Sequence, residues 1–511
     1  MPQNVITVHQ FAPDALIDTV CRESIDRGEE VPEQVKYLAR YAERLGARTY
    51  VVEAHYVDRH YIDEYAFYYS RMLSPPPNVV RRIHFFGHEF AEAAFAGMLE
   101  ESLRSEVARR KVEKQLTDPV AGSSIGGYLG FSSIRPLSSV PVGRTVLSRL
   151  PDSDGGNPRH IWATNEHVVH LANLRLRVEG LAFQQQDAAV GACATAALWS
   201  ALVRVARQDG MRAPTPAEIS DAALRSPRVR PLLPANTGLT VQQLCEATRA
   251  FGFTPEVAYA FSRPEIFVVM LHTYLLSGIP MVLALRGDGG GHAVTAVGFQ
   301  MSASEHPALQ TTVPVRSAGL TKLYVHDDRL GPYARAKIEP YSYSNKEEDV
   351  SFEGLRFEIE FDGVGAESWL IDTAIAPVYP KLRLSVASLI MLAEFKAKLV
   401  EKMVGLKKAP TLRVDFRYER AGDYLTRLAG RATDPKRAAT FVREVALSRW
   451  CALMRWYLGD DELIEFVYDT TDVVRDVRVQ ARELLRGVVC LDKRYARNVT
   501  TIGAALRVPT A

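Results

Sequence analysis

The spacing of apolar and polar positions predicts a chain of mixed helices and strands. In the first 150 residues, helical spacing from Glu33 to Leu45 leads into the strand-like segment TYVVEAHYV. Acidic and aromatic residues recur at helical spacing from Tyr61 to Met72, and a long charged helix is expected from about Glu89 to Gln115. We therefore expect a mixed α/β accessory domain over residues 1–150.

The pattern changes after this charged helix. From Gly126 to Leu147, apolar and small residues alternate with prolines, which is typical of β-rich connecting structure. Turn-forming residues then follow one another from Pro151 to Pro158, PDSDGGNP, and predict an exposed loop.

A loop that enters a buried helix is predicted from Phe183 to Arg207, FQQQDAAVGACATAALWSALVRVAR. Cys193 follows Gly191 and lies in the first turn of this helix. Unpaired backbone N–H groups and the positive end of the helix dipole stabilise a thiolate there. A single cysteine is more often a small buried apolar residue. A catalytic role for Cys193 therefore depends on suitable partners elsewhere in the chain.

Two such partners follow in a predicted antiparallel sheet. Apolar segments from Pro280 to Leu285 and from Ala293 to Phe299 flank a glycine-rich turn, so a hairpin delivers His292 to the start of its second strand. A third strand, Lys322 to His326, ends in Asp327 and Asp328. A carboxylate there can accept the Nδ1 proton of His292 and fix its tautomer. The alternatives are a structural histidine and two aspartates that only start a turn.

A separate α/β domain is expected over residues 380–511. It contains a predicted helix from Ser385 to Val404, a strand TLRVDFRYER, a short helix AGDYLTRLAG and a helix from Pro435 to Leu447. Two further strands, WCALMRWYL and ELIEFVYDTTDV, are joined by a hairpin at Gly459 to Asp461. The acids of this hairpin lack the ligand spacing of a calcium loop, and we interpret them as a solvated edge: Asp460, Asp461, Glu462, Glu465, Asp469 and Asp472.

Composition and charge exclude several classes of function. The chain has 62 Lys and Arg against 60 Asp and Glu, so no net field favours nucleic acid or an anionic membrane. The longest apolar run near the C-terminal third, Val386 to Ala393, is too short to span a bilayer. The first residues show no secretory signal pattern. We expect a cytoplasmic protein with no membrane span and no nucleic-acid partner.

The distribution of cysteine and histidine argues against a bound metal or cofactor. The five cysteines are far apart and form no CxxC pair, which disfavours a disulfide framework and a zinc knuckle and suits a reducing compartment. His84 and His88 are four residues apart, but Gly87 and the strand-like IHFF make a shared helical face doubtful, and no third ligand is evident. We therefore expect neither metal nor cofactor.

The order of cysteine, histidine and aspartate, with a helix before an antiparallel sheet, resembles papain-like cysteine peptidases. More narrowly, the chain resembles the bacteriocin-processing (double-glycine leader) peptidase family and its stand-alone relatives. The resemblance covers Gln184 to Gly331. Its motifs are the glutamines before GAC, ATAALWSAL, TPAEISDAAL, TGLTVQQLCEATRAFGF, LHTYLLSGIPMVLAL, GGGHAVTAVGF and LYVHDDRLG.

The resemblance implies an α+β fold with a papain-like core over residues 151–379, a central helix packed on an antiparallel sheet, flanked by the two α/β accessory domains. It implies Cys193 as nucleophile, His292 as general base and acid, and Asp327, or else Asp328, as the orienting carboxylate. Family members place an oxyanion-hole glutamine six residues before the cysteine, where this chain has Asp187. A one-residue insertion would move that role to Gln186, with Gln185 as the alternative.

The implied function is a cytosolic cysteine peptidase that hydrolyses a peptide or isopeptide bond in a protein or peptide substrate. The chain lacks the membrane spans and P-loop of transporter-fused relatives, so cleavage coupled to export is not implied. Residues 300–320 look longer than usual and predict an extended hairpin near the active site. The accessory domains are expected to select or gate the substrate, or to bind a protein partner. The alternatives are amidase, deamidase or acyl-transfer chemistry at the same site, or a binding scaffold without turnover.

Overall fold

The chain is an α+β protein whose sheets are built from antiparallel ladders. The computed structural model describes residues 5–151, 153–154, 156–187, 193–225, 238–261, 263–287, 290–345, 350–361, 365–404, 412–431, 435–471, 484–492 and 494. The three largest described sheets fall within residues 1–150, 151–379 and 380–511 respectively, and one contiguous apolar core joins them.

The N-terminal region forms a five-stranded sheet in the order β1-β2-β3-β4-β5. The segment predicted as connecting structure, Gly126 to Leu147, supplies the last two strands of this sheet, and β5 is its edge. The elements are β1 (Ile6–Gln10), α1 (Pro13–Asp26), α2 (Glu33–Arg44), β2 (Thr49–Tyr56), α3 (Arg59–Phe67), β3 (Val80–Phe86), α4 (Glu92–Arg104), α5 (Glu106–Thr117), β4 (Tyr128–Ile134) and β5 (Val142–Leu147).

The long charged helix predicted from Glu89 to Gln115 is two helices, α4 and α5. The break lies at Ser105, whose backbone is extended with φ −164°. Its hydroxyl accepts a hydrogen bond of 3.1 Å from the Ala108 N–H. Serine caps a helix N-terminus well because its side chain bonds an N–H that has no partner within the helix. The prediction of a single helix was therefore wrong.

The central region consists of helices packed against a closed barrel. Each of the six strands from β11 to β16 pairs with the next, and β11 also pairs with β16, which closes the ring. The elements are β6 (Ser153–Asp154), β7 (Asn157–His160), β8 (Asn165–Leu171), β9 (Leu174–Gly180), α6 (Cys193–Gln208), α7 (Pro216–Leu224), α8 (Val241–Ala250), β10 (Thr254–Tyr259), α9 (Pro264–Leu276), β11 (Met281–Gly287), β12 (Gly290–Met301), β13 (Leu320–Asp327), β14 (Gly331–Asn345), β15 (Val350–Phe361) and β16 (Gly365–Val378).

Helix α6 lies against this barrel because nearly its whole surface is apolar. Ala197, Leu198, Trp199 and Leu202 are buried. A hydrogen bond of 2.8 Å from the Thr295 hydroxyl to the Ala197 carbonyl joins α6 to β12. The N-terminal end of the buried helix is thereby fixed relative to the strand that carries His292.

The two predictions for the loops of this region had different outcomes. The segment predicted as an exposed loop over 151–158 is exposed at its described side chains, but it contains β6 and the start of β7, which pair as a short hairpin. The second prediction was wrong. Residues 300–320 do not form an extended hairpin near the active site. They contain two 3₁₀ turns, Pro307–Leu309 and Arg316–Gly319. Val315 forms a bridge to Val414, so this segment contacts the C-terminal sheet instead.

The C-terminal region is a four-stranded sheet in the order β17-β18-β19-β20. The predicted hairpin is present: Leu458 pairs with Asp461, and Gly459 has φ +65° in the turn. The elements are α10 (Val386–Val404), β17 (Leu412–Arg420), α11 (Ala421–Arg431), α12 (Pro435–Glu444), β18 (Trp450–Leu458), β19 (Asp461–Asp469) and β20 (Leu485–Cys490). No described helix is long and apolar enough to cross a membrane.

The acids near this hairpin are not simply a solvated edge, as predicted. Glu465 is 1% exposed and pairs with Arg455 at 2.6 Å and with Arg427 at 3.5 Å. Glu462 pairs with Arg431 at 2.6 Å. Asp472 lies outside the described residues. Glu462 and Glu465 of β19 therefore belong to ion pairs that fasten α11 to the sheet.

Helix α2 docks on the start of β14, and Gly331 makes that close approach possible. A Cβ at this position would lie 2.2 Å from Tyr37 Cδ1. We expect Gly331→Ala to lower the free energy of unfolding in urea by about 1–3 kcal/mol, because the ring must move. Gly430→Ala is the control, since its Cβ would meet no atom within 4 Å. Equal losses in both variants would contradict this packing.

Candidate active site

Cys193 is the first described residue of α6 and is partly buried, whereas the other four cysteines are buried. The segment before it, 188–192, which includes Gly191 of the predicted loop, lies outside the described residues. The position at the helix N-terminus is the one that the sequence predicts, and it places the thiol where the helix dipole favours a negative charge.

His292 and Asp327 are brought together by the register of three neighbouring strands. His292 lies opposite Leu285 near the start of β12, and Asp327 ends β13. Their side chains meet with 3.1 Å between His292 Nε2 and Asp327 Oδ1. The sequence-based expectation placed the carboxylate at Nδ1, and the structure places it at Nε2 instead. Because Nε2 is occupied by Asp327, Nδ1 is left to exchange a proton with a thiol.

The Cys193 thiol is close enough to His292 to raise the pKa of the imidazole. Burial alone would lower the pKa of His292. The charge and hydrogen bond of Asp327, the hydrogen bond of Cys193 and the charge of Asp328 outweigh burial and raise it to about 10. Burial would raise the pKa of Asp327, but His292 and Arg329 hold it below its usual value. An imidazolium between a thiol and a carboxylate is therefore the stable state at neutral pH.

Asp328 plays a different part from its neighbour. Its Oδ1 lies 3.9 Å from His292 Nε2, and within the described residues this oxygen accepts no hydrogen bond. Burial raises the pKa of Asp328 to about 7, and the charge of Asp327 adds to this effect. Of the two aspartates that the sequence left open, Asp327 thus makes the direct hydrogen bond.

Trp369 packs beside His292, and no pattern in the sequence indicated this contact. Its ring centroid on β16 lies 5.8 Å from that of His292, and the Arg329 guanidinium lies 5.3 Å from the Trp369 centroid. An apolar ring beside the imidazole excludes water and strengthens the contact with Asp327. Trp369 is in an ordinary strand pattern, so no local signal separates it from a core residue.

The three glutamines before Cys193 have different environments. The Gln184 amide donates to the buried Glu64 carboxylate. The Gln185 side chain accepts from the Val142 N–H at 3.1 Å and donates to the Ser139 carbonyl at 3.5 Å. Gln186 is partly buried, and in the described part of the chain its amide makes no hydrogen bond. Gln185 and Gln186 are the two candidates for the oxyanion hole that the sequence offers. Of these, only Gln186 has an amide that makes no hydrogen bond to a described residue.

An open groove of about 620 Å³ runs beside the histidine. One wall comes from the segment that leads into α2 and from the loop before β5. The other wall comes from the glutamine segment and the turn after β13. The lining includes Pro32, Gln34, Val140, Gln186, His292 and Arg329. A groove of this size admits a short stretch of extended peptide beside the imidazole.

No protein-family model matches this sequence, and no curated protein shows significant similarity to it.

His292, Asp327 and Asp328 are also the one group in the described residues with the composition of a metal site. One ligand atom from each lies within 4.8 Å of the others, and all three residues are buried. The Arg329 Nε lies 3.8 Å from Asp327 Oδ1 and already supplies positive charge there. Histidine and carboxylates suit zinc, but the guanidinium reduces the attraction for a second cation.

The other pair of histidines considered in the sequence lies elsewhere. His84 is buried in β3 and bonds to the Tyr128 hydroxyl at 2.8 Å and to Glu53 at 3.0 Å. His88 is partly buried and contacts the Asp118 carbonyl at 3.1 Å. The two rings therefore have separate partners.

A larger cavity of about 840 Å³ lies in the N-terminal region beside α1. Its lining contains none of Cys193, His292 and Asp327.

Proposed function

We propose that the chain is a cysteine peptidase with a papain-like core, in which Cys193, His292 and Asp327 form the catalytic triad. The observation that carries the proposal is one chain of contacts, from the thiol to the imidazole to the carboxylate. A thiol at the tip of a helix that packs on a closed antiparallel barrel supports the papain-like interpretation of the core.

The first chemical step is acyl transfer to sulfur. The Cys193 thiolate attacks the carbonyl carbon of the scissile amide, and its C=O becomes an oxyanion. The Gln186 amide and the Cys193 backbone N–H are the donors for that oxyanion. When the tetrahedral intermediate collapses, the C–N bond breaks and the His292 imidazolium gives its proton to the leaving amine. A thioester remains on Cys193.

The second step regenerates the enzyme. Neutral His292 accepts a proton from water, which attacks the thioester carbonyl. The C–S bond breaks, and the products are a carboxylic acid, which then releases its proton to water, the thiolate and the imidazolium. Asp327 keeps Nε2 as a donor throughout, so Nδ1 always faces the reacting sulfur.

The proposed substrate is a peptide or isopeptide bond in a protein, because the groove beside His292 is open and large enough for a short extended segment. All five cysteines are free, which supports a reducing compartment such as the cytoplasm. The same thioester would also serve an amidase, a deamidase or an acyl transferase, and only the identity of the second nucleophile or the first leaving group separates these reactions.

Reaction with p-nitrophenyl acetate tests the proposal. We expect an acetyl thioester on Cys193, detected by peptide mass spectrometry, followed by turnover as it hydrolyses. Cys193→Ala loses the adduct, and Cys245→Ala, which removes a buried cysteine of α8, retains it. Acetylation of surface lysines without any preference for Cys193 would favour a binding scaffold without turnover.

A divalent-metal site is the second candidate, because three ligand atoms of suitable type converge at His292, Asp327 and Asp328. The same assay separates the two. Turnover that persists in EDTA supports the thiol mechanism. Turnover that EDTA abolishes and Zn²⁺ restores, and that survives in Cys193→Ala, supports the metal mechanism.

A further inference from the structure

The segment that carries Gln186 is attached to the N-terminal sheet. Phe183 pairs with Thr145 of β5 through two backbone hydrogen bonds of 2.8 Å. The Gln185 N–H continues along the same strand with a bond of 3.1 Å to the Val142 carbonyl. Residues 183–185 thus cover the free edge of β5 as a short extra strand.

Arg135 secures this segment from the inside. Its side chain is 3% exposed, and its Nη2 donates to the Gln185 carbonyl at 3.1 Å. Its Nε donates to the Val140 carbonyl at 3.1 Å, and its Nη1 lies 3.5 Å from Glu64 Oε2. One guanidinium therefore joins α3, the loop before β5 and the residue directly before Gln186.

Two further contacts flank Gln186 on either side. Before it, the Gln184 amide donates to Glu64. After it, the Tyr69 hydroxyl donates to the Asp187 carboxylate. Burial raises the pKa of Glu64 to about 7, although Arg135 opposes this effect. Every side chain adjacent to Gln186 is thus bound to the N-terminal region, while the Gln186 amide itself is left uncommitted.

We infer that Arg135 is a positioning residue for the oxyanion-hole amide of Gln186, so that the N-terminal region is a working part of the active site. This inference rests on the proposed function. An oxyanion donor acts only if it is held within hydrogen-bonding distance of the developing charge. Because the Gln186 side chain makes no hydrogen bond to any described residue, we infer that the hydrogen bond from Arg135 to the Gln185 carbonyl sets where its amide points.

The test compares two reactions of Cys193 in Arg135→Met. Acylation by p-nitrophenyl acetate passes through an oxyanion, whereas alkylation by iodoacetamide does not. We expect the acylation rate to fall by about 10-fold or more, since full removal of an oxyanion donor costs about 10²–10³, and the alkylation rate to stay within about 3-fold. Both rates are divided by the concentration of folded protein.

Arg82→Met is the matched control. Arg82 is also a buried arginine of the N-terminal sheet, 4% exposed, with a glutamate partner, Glu53, at 2.6 Å and a backbone carbonyl acceptor. The Arg82→Met variant should be less stable than the unmodified protein, with no change in the ratio of acylation rate to alkylation rate. Arg135→Lys, which keeps the charge beside Glu64 but cannot reach the same carbonyls together, gives an intermediate ratio and provides a second variant if Arg135→Met does not fold.

A double variant decides whether the effect passes through Gln186. In a Gln186→Ala background, Arg135→Met should produce little further loss of acylation. Two results would overturn the positioning role of Arg135 while Cys193 still reacts. One is an additive loss of acylation rate in the double variant. The other is a ratio of acylation rate to alkylation rate in Arg135→Met that equals the ratio in Arg82→Met. If the unmodified protein forms no thioester at Cys193, the proposed function fails and this inference fails with it.

Discussion

Replacing His292 by alanine slows alkylation of Cys193 by iodoacetamide at pH 7 by about 100-fold or more. In the proposed mechanism the His292 imidazolium activates the sulfur, and the variant removes that positive charge from beside a partly buried cysteine. Turnover of p-nitrophenyl acetate falls further, by about 10²–10⁴, because the general base for hydrolysis is also gone. The alkylation rate is followed by mass spectrometry of the Cys193 peptide.

His272→Ala is the control for this variant. His272 is 5% exposed in α9 and packs on Phe299, with a ring centroid distance of 4.8 Å, and burial lowers its pKa to about 3. It is therefore a neutral core histidine. Its removal should reduce stability and leave the reactivity of Cys193 unchanged. Equal alkylation rates in His292→Ala and in the unmodified protein would show that the imidazole does not activate the thiol.

Replacing Asp327 by alanine lowers the pH at which His292 loses its proton by about one to three units. The pKa of His292 is about 10, and Asp327 is the strongest of the groups that raise it. Without Asp327, burial is opposed only by Cys193 and by the charge of Asp328, so the pKa of His292 falls. The imidazolium is present below its pKa, so the variant loses it at a lower pH than the unmodified protein.

The ratio of alkylation rates with iodoacetate and iodoacetamide measures this charge, because a cation beside the thiolate favours the anionic reagent. The ratio should fall near pH 10 in the unmodified protein and about one to three pH units lower in Asp327→Ala. Asp328→Ala should shift the fall much less, since its Oδ1 lies 3.9 Å from Nε2 and makes no hydrogen bond to it. Equal shifts in the two variants would assign the orienting role to both carboxylates.

The spacing of neighbouring residues predicted the helix and the two strands that carry the three proposed catalytic residues. The all-round apolar character of α6 indicates a buried helix that begins at Cys193. The glycine-rich turn between two apolar strands locates His292, and the strand that ends at Asp327 follows from its apolar alternation. These are short-range signals, and each depends only on the spacing of neighbouring residues.

The long-range pairings could not be predicted in the same way. Closure of the barrel depends on β11 meeting β16, where Leu283 lies opposite Ala374. Any apolar strand edge satisfies such a pairing equally well. The choice of Nε2 over Nδ1 depends on how the side chains of His292 and Asp327 are placed in three dimensions, which the spacing of residues does not determine.

The inferred role of the N-terminal region in the active site could not be predicted from the sequence either. Arg135 follows an apolar strand and precedes a proline, which reads as an ordinary surface arginine at the end of a strand. Its acceptor, the Gln185 carbonyl, lies 50 residues away. Gln185 was the alternative oxyanion donor, and only its contacts with Val142 and Ser139 show that its amide is already used.

The most direct measurement of the central claim is the alkylation rate of each of the five cysteines with a limiting amount of iodoacetamide at pH 7, resolved by peptide mass spectrometry. A thiolate paired with the His292 imidazolium predicts that Cys193 reacts about 100 times faster than Cys21, Cys245, Cys451 or Cys490 in the folded protein. A Cys193 that reacts no faster than the buried Cys245 would contradict it.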